Sequence, residues 1–331
     1  MTLFRRISTA ALLLCAIVVV LGAYVRLSDA GLGCPDWPGC YGQLTVPDEH
    51  HETLAAAENF PERPLEAAKA WKEMLHRYLA SLLGLLILVL ALLSALRRDQ
   101  DLPRRLPWVL VGLVIFQGIL GMWTVTWLLK PAVVTAHLLG GMSTFALLLW
   151  LRLSLPRKTA GPVSPAVPVP SGLRRYAGLA LVLVAVQIFL GGWTSTNYAA
   201  LACPDFPACQ NQWWPVHDVS ESFRLWRGLG VNYEYGVLDN RQRMTVHFVH
   251  RLGAIVVSLA LLLLSLHLWR QRWRGWSMAI LAALSLQLLI GISTVLLQLP
   301  LWLATAHNAG AALLLAALVS LNHAAWRKPT P

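Results

Sequence analysis

Eight stretches of this chain, at roughly 7–26, 74–96, 107–128, 132–153, 174–196, 243–268, 276–297 and 301–325, are apolar runs about long enough to span hydrocarbon. Nothing else in the sequence narrows the fold so far. A bilayer core offers no water to backbone N–H and C=O groups, so each run must close its hydrogen bonds within itself, as a helix. The expected fold class is an all-α polytopic membrane protein with eight transmembrane helices. Composition agrees, since 56% of the 331 residues are hydrophobic and only 13% charged, unlike ordinary soluble domains.

A net charge of +11 would suit a nucleic-acid binder, but its placement argues otherwise. Arg5, Arg6, Arg97, Arg98, Arg104, Arg105, Arg152, Arg157, Lys158, Arg174, Arg175, Arg270, Arg272, Arg274, Arg327 and Lys328 all fall in alternate short segments beside span ends. Basic residues of that kind mark the cytoplasmic side. Both termini are therefore expected in the cytoplasm, in a bacterial-type inner membrane, with lipid as a partner and no nucleic acid. The first run, preceded by Arg5 and Arg6, resembles a signal peptide; with no small-x-small site after it and a counterpart later in the chain, it is expected to be retained.

That counterpart belongs to a duplication. "LGAYVRLSDAGLGCPDWPGC" (21–40) aligns with "LGGWTSTNYAALACPDFPAC" (190–209), "HR" at 76–77 with "HR" at 250–251, "FQGILGMWTV" (116–125) with "LQLLIGISTV" (286–295), and "VVTAHLLGG" (133–141) with "LATAHNAGA" (303–311). Four spans per half preserve orientation, so the halves should be parallel repeats about a pseudo-twofold axis along the membrane normal. Residues 1–155 and 174–331 then form two four-helix bundles, joined by the Pro-rich cytoplasmic linker 156–173. Cys34 and Cys40, and Cys203 and Cys209, fall on the non-cytoplasmic side. Intraloop disulfides are expected there; a zinc site built from all four is the rival, although zinc loops favour shorter gaps.

Of ten histidines, four occupy repeat-related places inside spans: His76, His137, His250 and His307. By the span bounds above they lie roughly two to seven residues past the outer helix ends, about 3–10 Å of depth. Two imidazoles at one height on two helices of a bundle are what bis-histidine haem ligation needs. A lone intramembrane histidine is more often a packing residue. Four, paired by the repeat, favour a cofactor, and the scarcity of carboxylates in the spans disfavours a bare transition metal. His50, His51, His217, His267 and His323 lie in loops or near helix ends and are expected to be interfacial.

The repeat breaks at one informative place. Three residues before its histidine the first half carries Glu73, where the second carries His247. Glu73 shares a helix face with His76, so a carboxylate beside that seat suits proton transfer or charge stabilisation. The alternative is a solvated acid that merely begins the helix. Arg77 and Arg251 follow the histidines and are candidate partners for haem propionates or lipid phosphate. The pairs Gln117/Gly121, Gln187/Gly191 and Gln287/Gly291 read as helix packing that need not touch a ligand.

"AGLGCPDWPGCYG", the ExxHR of residues 73–77, "TAH" at 135–137, "CPDFPAC" and "TAHNAG" together resemble the haem A synthase family over essentially residues 5–326. The resemblance implies oxidation of the C8 methyl of haem o to a formyl group, giving haem a for cytochrome oxidase. It implies haem b on His250 and His307, substrate haem o between His76 and His137, Glu73 as the catalytic carboxylate, and disulfides Cys34–Cys40 and Cys203–Cys209. Expected partners are the synthase that supplies haem o and the cytochrome oxidase assembly machinery; a homo-oligomer is left open. The rival readings are a non-catalytic di-haem b electron-transfer cytochrome and a transporter.

Overall fold

The structure, a computed structural model, describes residues 1–97, 102–156 and 169–326; most of the linker expected at 156–173 lies outside them. Its helices are α1 (Thr2–Leu27), α2 (His50–Asn59), α3 (Ala67–Leu96), α4 (Arg105–Thr126), α5 (Pro131–Ser154), α6 (Leu173–Thr196), α7 (Val219–Ser222), α8 (Asn240–Arg270), α9 (Arg274–Leu296) and α10 (Leu301–Trp326). Eight of these are long and apolar enough to cross a membrane, and no strand occurs among the described residues. The chain is an all-α, multi-pass membrane protein.

Helices α1, α3 and α8 begin three or more residues before their apolar runs. Hydropathy marks where hydrocarbon can start, whereas "AAKAWKE" before the run in α3 is polar yet helix-forming. In α8 the start is set by a capping box: Gln242 N–H donates to Asp239 Oδ1 at 2.7 Å, and the Gln242 side chain returns to the Asp239 N–H. A similar box between Glu49 and Glu52 starts α2, a loop helix with no hydropathy signal.

Packing follows the order of the chain. Helix α1 lies against α3, α3 against α4, α4 against α5 and α5 against α1; α6, α8, α9 and α10 close a second ring in the same way. The rings meet where α1 and α5 pack against α10, and α5 against α6. Thr135 and Thr196 share a hydroxyl hydrogen bond of 3.2 Å there, and Asn322 Nδ2 donates to Ala177 O at 2.9 Å within the second ring. One continuous apolar core runs through both rings, built from Phe4, Ala11 and Cys15 of α1, Leu148 and Leu151 of α5, Leu261 and Leu268 of α8, and Leu318 of α10. It occupies the helix halves remote from the cysteine loops. Leu85, Leu259, Leu263 and Leu289 point outward, as lipid-facing residues should.

The duplication persists in backbone detail. Leu128 and Leu129 adopt positive φ between α4 and α5, and Gln298 and Leu299 do the same between α9 and α10. Left-handed backbone costs a side-chain-bearing residue about 1–2 kcal/mol, so both tight turns must be held by the packing around them. At the cysteine-loop end the two halves are also stitched together. Arg63 pairs with Glu234 at 3.4 Å, Arg26 donates to Ser195 O at 3.0 Å, and buried Lys130 donates to Gly228 O at 2.6 Å beneath the Trp226 ring.

Candidate functional site

Each of the four intramembrane histidines rests on a glycine of the preceding long helix. A Cβ added at Gly22, Gly121, Gly191 or Gly291 would lie 3.0, 3.6, 3.3 or 2.7 Å from Cε1 of His76, His137, His250 or His307. Every such contact joins two consecutive long helices: α1 to α3, α4 to α5, α6 to α8, and α9 to α10. The absence of a side chain opposite lets a bulky imidazole lie between closely packed backbones.

The structure moves His76 and His250 further along their helices than span bounds suggest. His137 and His307 stand six residues past Pro131 and Leu301, about 9 Å; His76 and His250 stand nine and ten past Ala67 and Asn240, about 14–15 Å. Helices α3 and α8 simply extend beyond their apolar runs. All four histidines lie in the helix halves nearer the cysteine loops, outside the dry core.

In the first half, His76 and His137 come together with ring centroids 6.5 Å apart and planes crossed at 79°. An imidazole nitrogen binds a metal at about 2 Å, so two such bonds plus the two ring radii span roughly this separation. Nδ1 of His76, His137 and His307 is buried without a hydrogen-bond partner, and a buried polar atom without a partner is costly unless a ligand supplies one. Among the described residues no three His, Cys, Asp or Glu side chains converge to hold a metal ion. Two imidazoles alone make a weak bare-ion site, whereas a porphyrin brings four nitrogens of its own. The residues present therefore fit a haem.

Glu73 is buried, at 5% exposure, which rules out the solvated helix-start alternative. Its Oε1 pairs with Arg77 Nη2 at 2.6 Å, and its Oε2 accepts the Cys34 N–H at 3.0 Å. Arg77 also donates to the carbonyls of Asp36 (3.0 Å), Pro38 (3.2 Å) and Gly39. This clasp ties the first cysteine loop to α3. The second half repeats it with an imidazole in place of the carboxylate. His247 presents one ring nitrogen to Arg251 Nε at 3.2 Å and the other to Cys203 N at 3.3 Å, while Arg251 donates to Ala208 O and Cys203 O, both at 2.7 Å. A carboxylate can accept both bonds; a neutral imidazole can accept only one. Arg77 and Arg251, candidate partners for haem propionates or lipid phosphate, are thus engaged by the loops.

Both cysteine pairs are disulfide-bonded, with Cα–Cα distances of 4.8 Å for Cys34–Cys40 and 4.6 Å for Cys203–Cys209, so no thiolates remain for the zinc alternative. Within each loop an aspartate organises the turn. Asp36 accepts from Tyr41 N and Gly42 N (2.6 and 2.8 Å), and Asp205 from Gln210 N and Asn211 N (2.6 and 2.9 Å). Partial burial pushes the Asp205 carboxyl up, but the two backbone donors outweigh it and hold the group below the usual carboxylate range.

Comparison with known proteins now bears on this arrangement. Residues 5–319 match the COX15-CtaA family, described as "Cytochrome oxidase assembly protein". The chain belongs to that family. It is 47% identical to "Heme A synthase" of Shewanella oneidensis over 94% of this chain and 93% of that protein. Proteins of the same name from Beijerinckia indica and Caulobacter vibrioides are 32% and 30% identical, over 92% and 95% of this chain and 88% and 92% of theirs.

In this member of the COX15-CtaA family two glutamines also belong to the site, with no sign of it in their helix spacing. Gln187 and Gln287, read as packing, reach the histidines: Gln187 Nε2 lies 3.0 Å from both His250 Nδ1 and His250 O, and Gln287 Nε2 lies 3.3 Å from His307 Nε2 and 3.1 Å from His307 O. A glycine stands three residues beyond His137, His250 and His307, a signal legible in the sequence. Gln187 packs on Gly253, Gln287 on Gly310 and Gln117 on Gly140, so close that a Cβ there would displace the amide.

Proposed function

We propose that this chain is a haem A synthase, an oxidoreductase that converts the C8 methyl of haem o to a formyl group and so provides haem a for cytochrome oxidase. The observation carrying this reading is the likeness, along nearly the whole chain, to proteins named Heme A synthase. In this reading residues 1–155 bind the substrate and residues 174–331 the resident cofactor, as pseudo-twofold-related bundles. His76 and His137 hold haem o. Glu73, one turn from His76 on the same helix, is the acid–base group beside that seat, kept in place by Arg77 and the Cys34 N–H. His250 and His307 hold haem b, which when bound would supply one-electron chemistry.

The termini are cytoplasmic, the disulfide loops face the oxidising side of an inner membrane, and the loops hold the helix ends together around both seats. Arg77 and Arg251 anchor those loops first; a haem propionate would compete for donors already in use. Haem o arrives from the synthase that makes it, and the product passes to the oxidase assembly machinery.

The test is extraction and chromatography of haems from an oxidase-competent host lacking its own enzyme. The unaltered chain should restore haem a, and Glu73→Gln should retain bound haem b while yielding none. Normal haem a from Glu73→Gln would remove the acid–base assignment, and no haem a from the unaltered chain would remove the function.

A further inference from the structure

Three helix pairs carry one device: a glutamine and a glycine four residues apart on one helix, facing a histidine and a glycine three residues apart on the next. The sets are Gln117/Gly121 with His137/Gly140, Gln187/Gly191 with His250/Gly253, and Gln287/Gly291 with His307/Gly310. The first glycine makes room for the imidazole, and the second lets the amide lie along the helix and reach the histidine. The fourth pair lacks it. By the alignment of the repeats, Val18 stands where Gln187 does and Leu79 where Gly253 does. His76 therefore rests on Gly22 with no amide.

The halves differ again where the device is present. In the second half both amides reach a ring nitrogen and the histidine's own carbonyl. In the first half Gln117 Nε2 is buried and unpartnered. The amide oxygens of Gln187 and Gln287 are also buried without partners. A histidine that coordinates a metal through one nitrogen carries its proton on the other and gives it to an acceptor, which fixes the ring and raises its donor strength. A half-turn of the amide about its last torsion would bring an unused oxygen to that proton, exchanging for it the bond that Nε2 now donates to the histidine's carbonyl.

We propose that Gln187 and Gln287 are positioning residues for the haem iron: they accept the outer ring proton of His250 and His307, and so make the second-half seat retentive. The first-half seat, with no such amide at His76, is the exchangeable one. This rests on the haem reading above and deepens it. The two seats have separate tasks, because a resident cofactor must stay while a substrate must enter and leave.

The experiment uses the full chain purified in detergent with its haem. Haem b retention against an apo-myoglobin scavenger and the haem b midpoint potential are measured for the parent, Gln187→Leu, Gln287→Leu and Gln187→Glu. Each leucine variant should lose haem b about 10-fold faster or more and shift its potential upward, since a ring that no longer shares its proton donates less to the iron. Gln187→Glu, a stronger acceptor of similar size, should shift it downward and keeps the test open if the leucine variants fail to fold. Adding the device to the first half, as Val18→Gln with Leu79→Gly, should make a second porphyrin harder to scavenge. A parent that purifies without haem overturns the haem reading itself. A haem-loaded parent whose variants match it in retention and potential overturns only the role of the glutamines, as does faster haem loss with an unmoved potential, the mark of mere packing.

Discussion

Replacing Arg77 should destabilise the fold more than replacing Arg251, although both clasp a cysteine loop through backbone carbonyls. Arg77 stands between three loop carbonyls and Glu73; Arg251 stands between two carbonyls and His247. Either change to glutamine loses hydrogen bonds from a charged donor, worth about 1.5–3 kcal/mol when counted singly and less than additive together. Only Arg77→Gln also strands a buried carboxylate. Removing one member of a buried pair costs about 3–5 kcal/mol, so the first variant should exceed the second by about 2 kcal/mol, a factor of roughly 30 in the folded-to-unfolded ratio. The double variant Glu73→Gln with Arg77→Gln should recover most of that excess, because no buried charge remains and the new amide still accepts the Cys34 N–H. The assay is a graded titration from mild detergent into sodium dodecyl sulfate, read by fluorescence of the chain's 15 tryptophans. If Arg251→Gln proves equally damaging, or if Glu73→Gln rescues nothing, the charge argument fails and the clasps are only loop contacts.

Other outcomes follow from the same geometry. Alanine at the four histidine-facing glycines should reduce haem content in the order Gly291, Gly22, Gly191, Gly121, following the closeness of the imidazole; haem spectra of the purified variants check the ranking, and a uniform response would show that the rings move freely. Loss of His250 or His307 should remove the haem b absorbance, whereas loss of His76 or His137 should chiefly remove haem a from extracts. Cys203→Ser with Cys209→Ser should cost about 2 kcal/mol by the loop-closure relation for so short a loop, measured by the same detergent titration. Asp205 has its folded-state ionisation lowered, so its stabilising effect is complete above the ordinary carboxylate range and is lost as pH falls through the lowered value. Protection of the Gln210 and Asn211 amides from hydrogen exchange, taken relative to the intrinsic rate at each pH, should fall on acidification below pH ~4 in the parent, and should be low throughout in Asp205→Ala.

Sequence alone displayed the eight apolar runs, the repeated landmarks along the chain, the repeat-related places of four histidines and the spacing of the cysteines, because hydrophobic length, repeat spacing and side-chain chemistry are properties of the chain itself. It also singled out Glu73 as the break in the repeat. What it left open depended on contacts between elements far apart in the chain. Hydropathy reports where lipid begins, so the polar first turns of α3 and α8 and the loop helix α2 were invisible to it. Arg77 resembled an outward-reaching cation until the loop carbonyls folded back over it, and Gln187 and Gln287 resembled packing until the neighbouring helices set His250 and His307 against them. Only tertiary structure could decide these points, because a hydrogen bond between helices depends on their relative rotation and closeness, and these are set by glycines on one helix meeting bulky side chains on another.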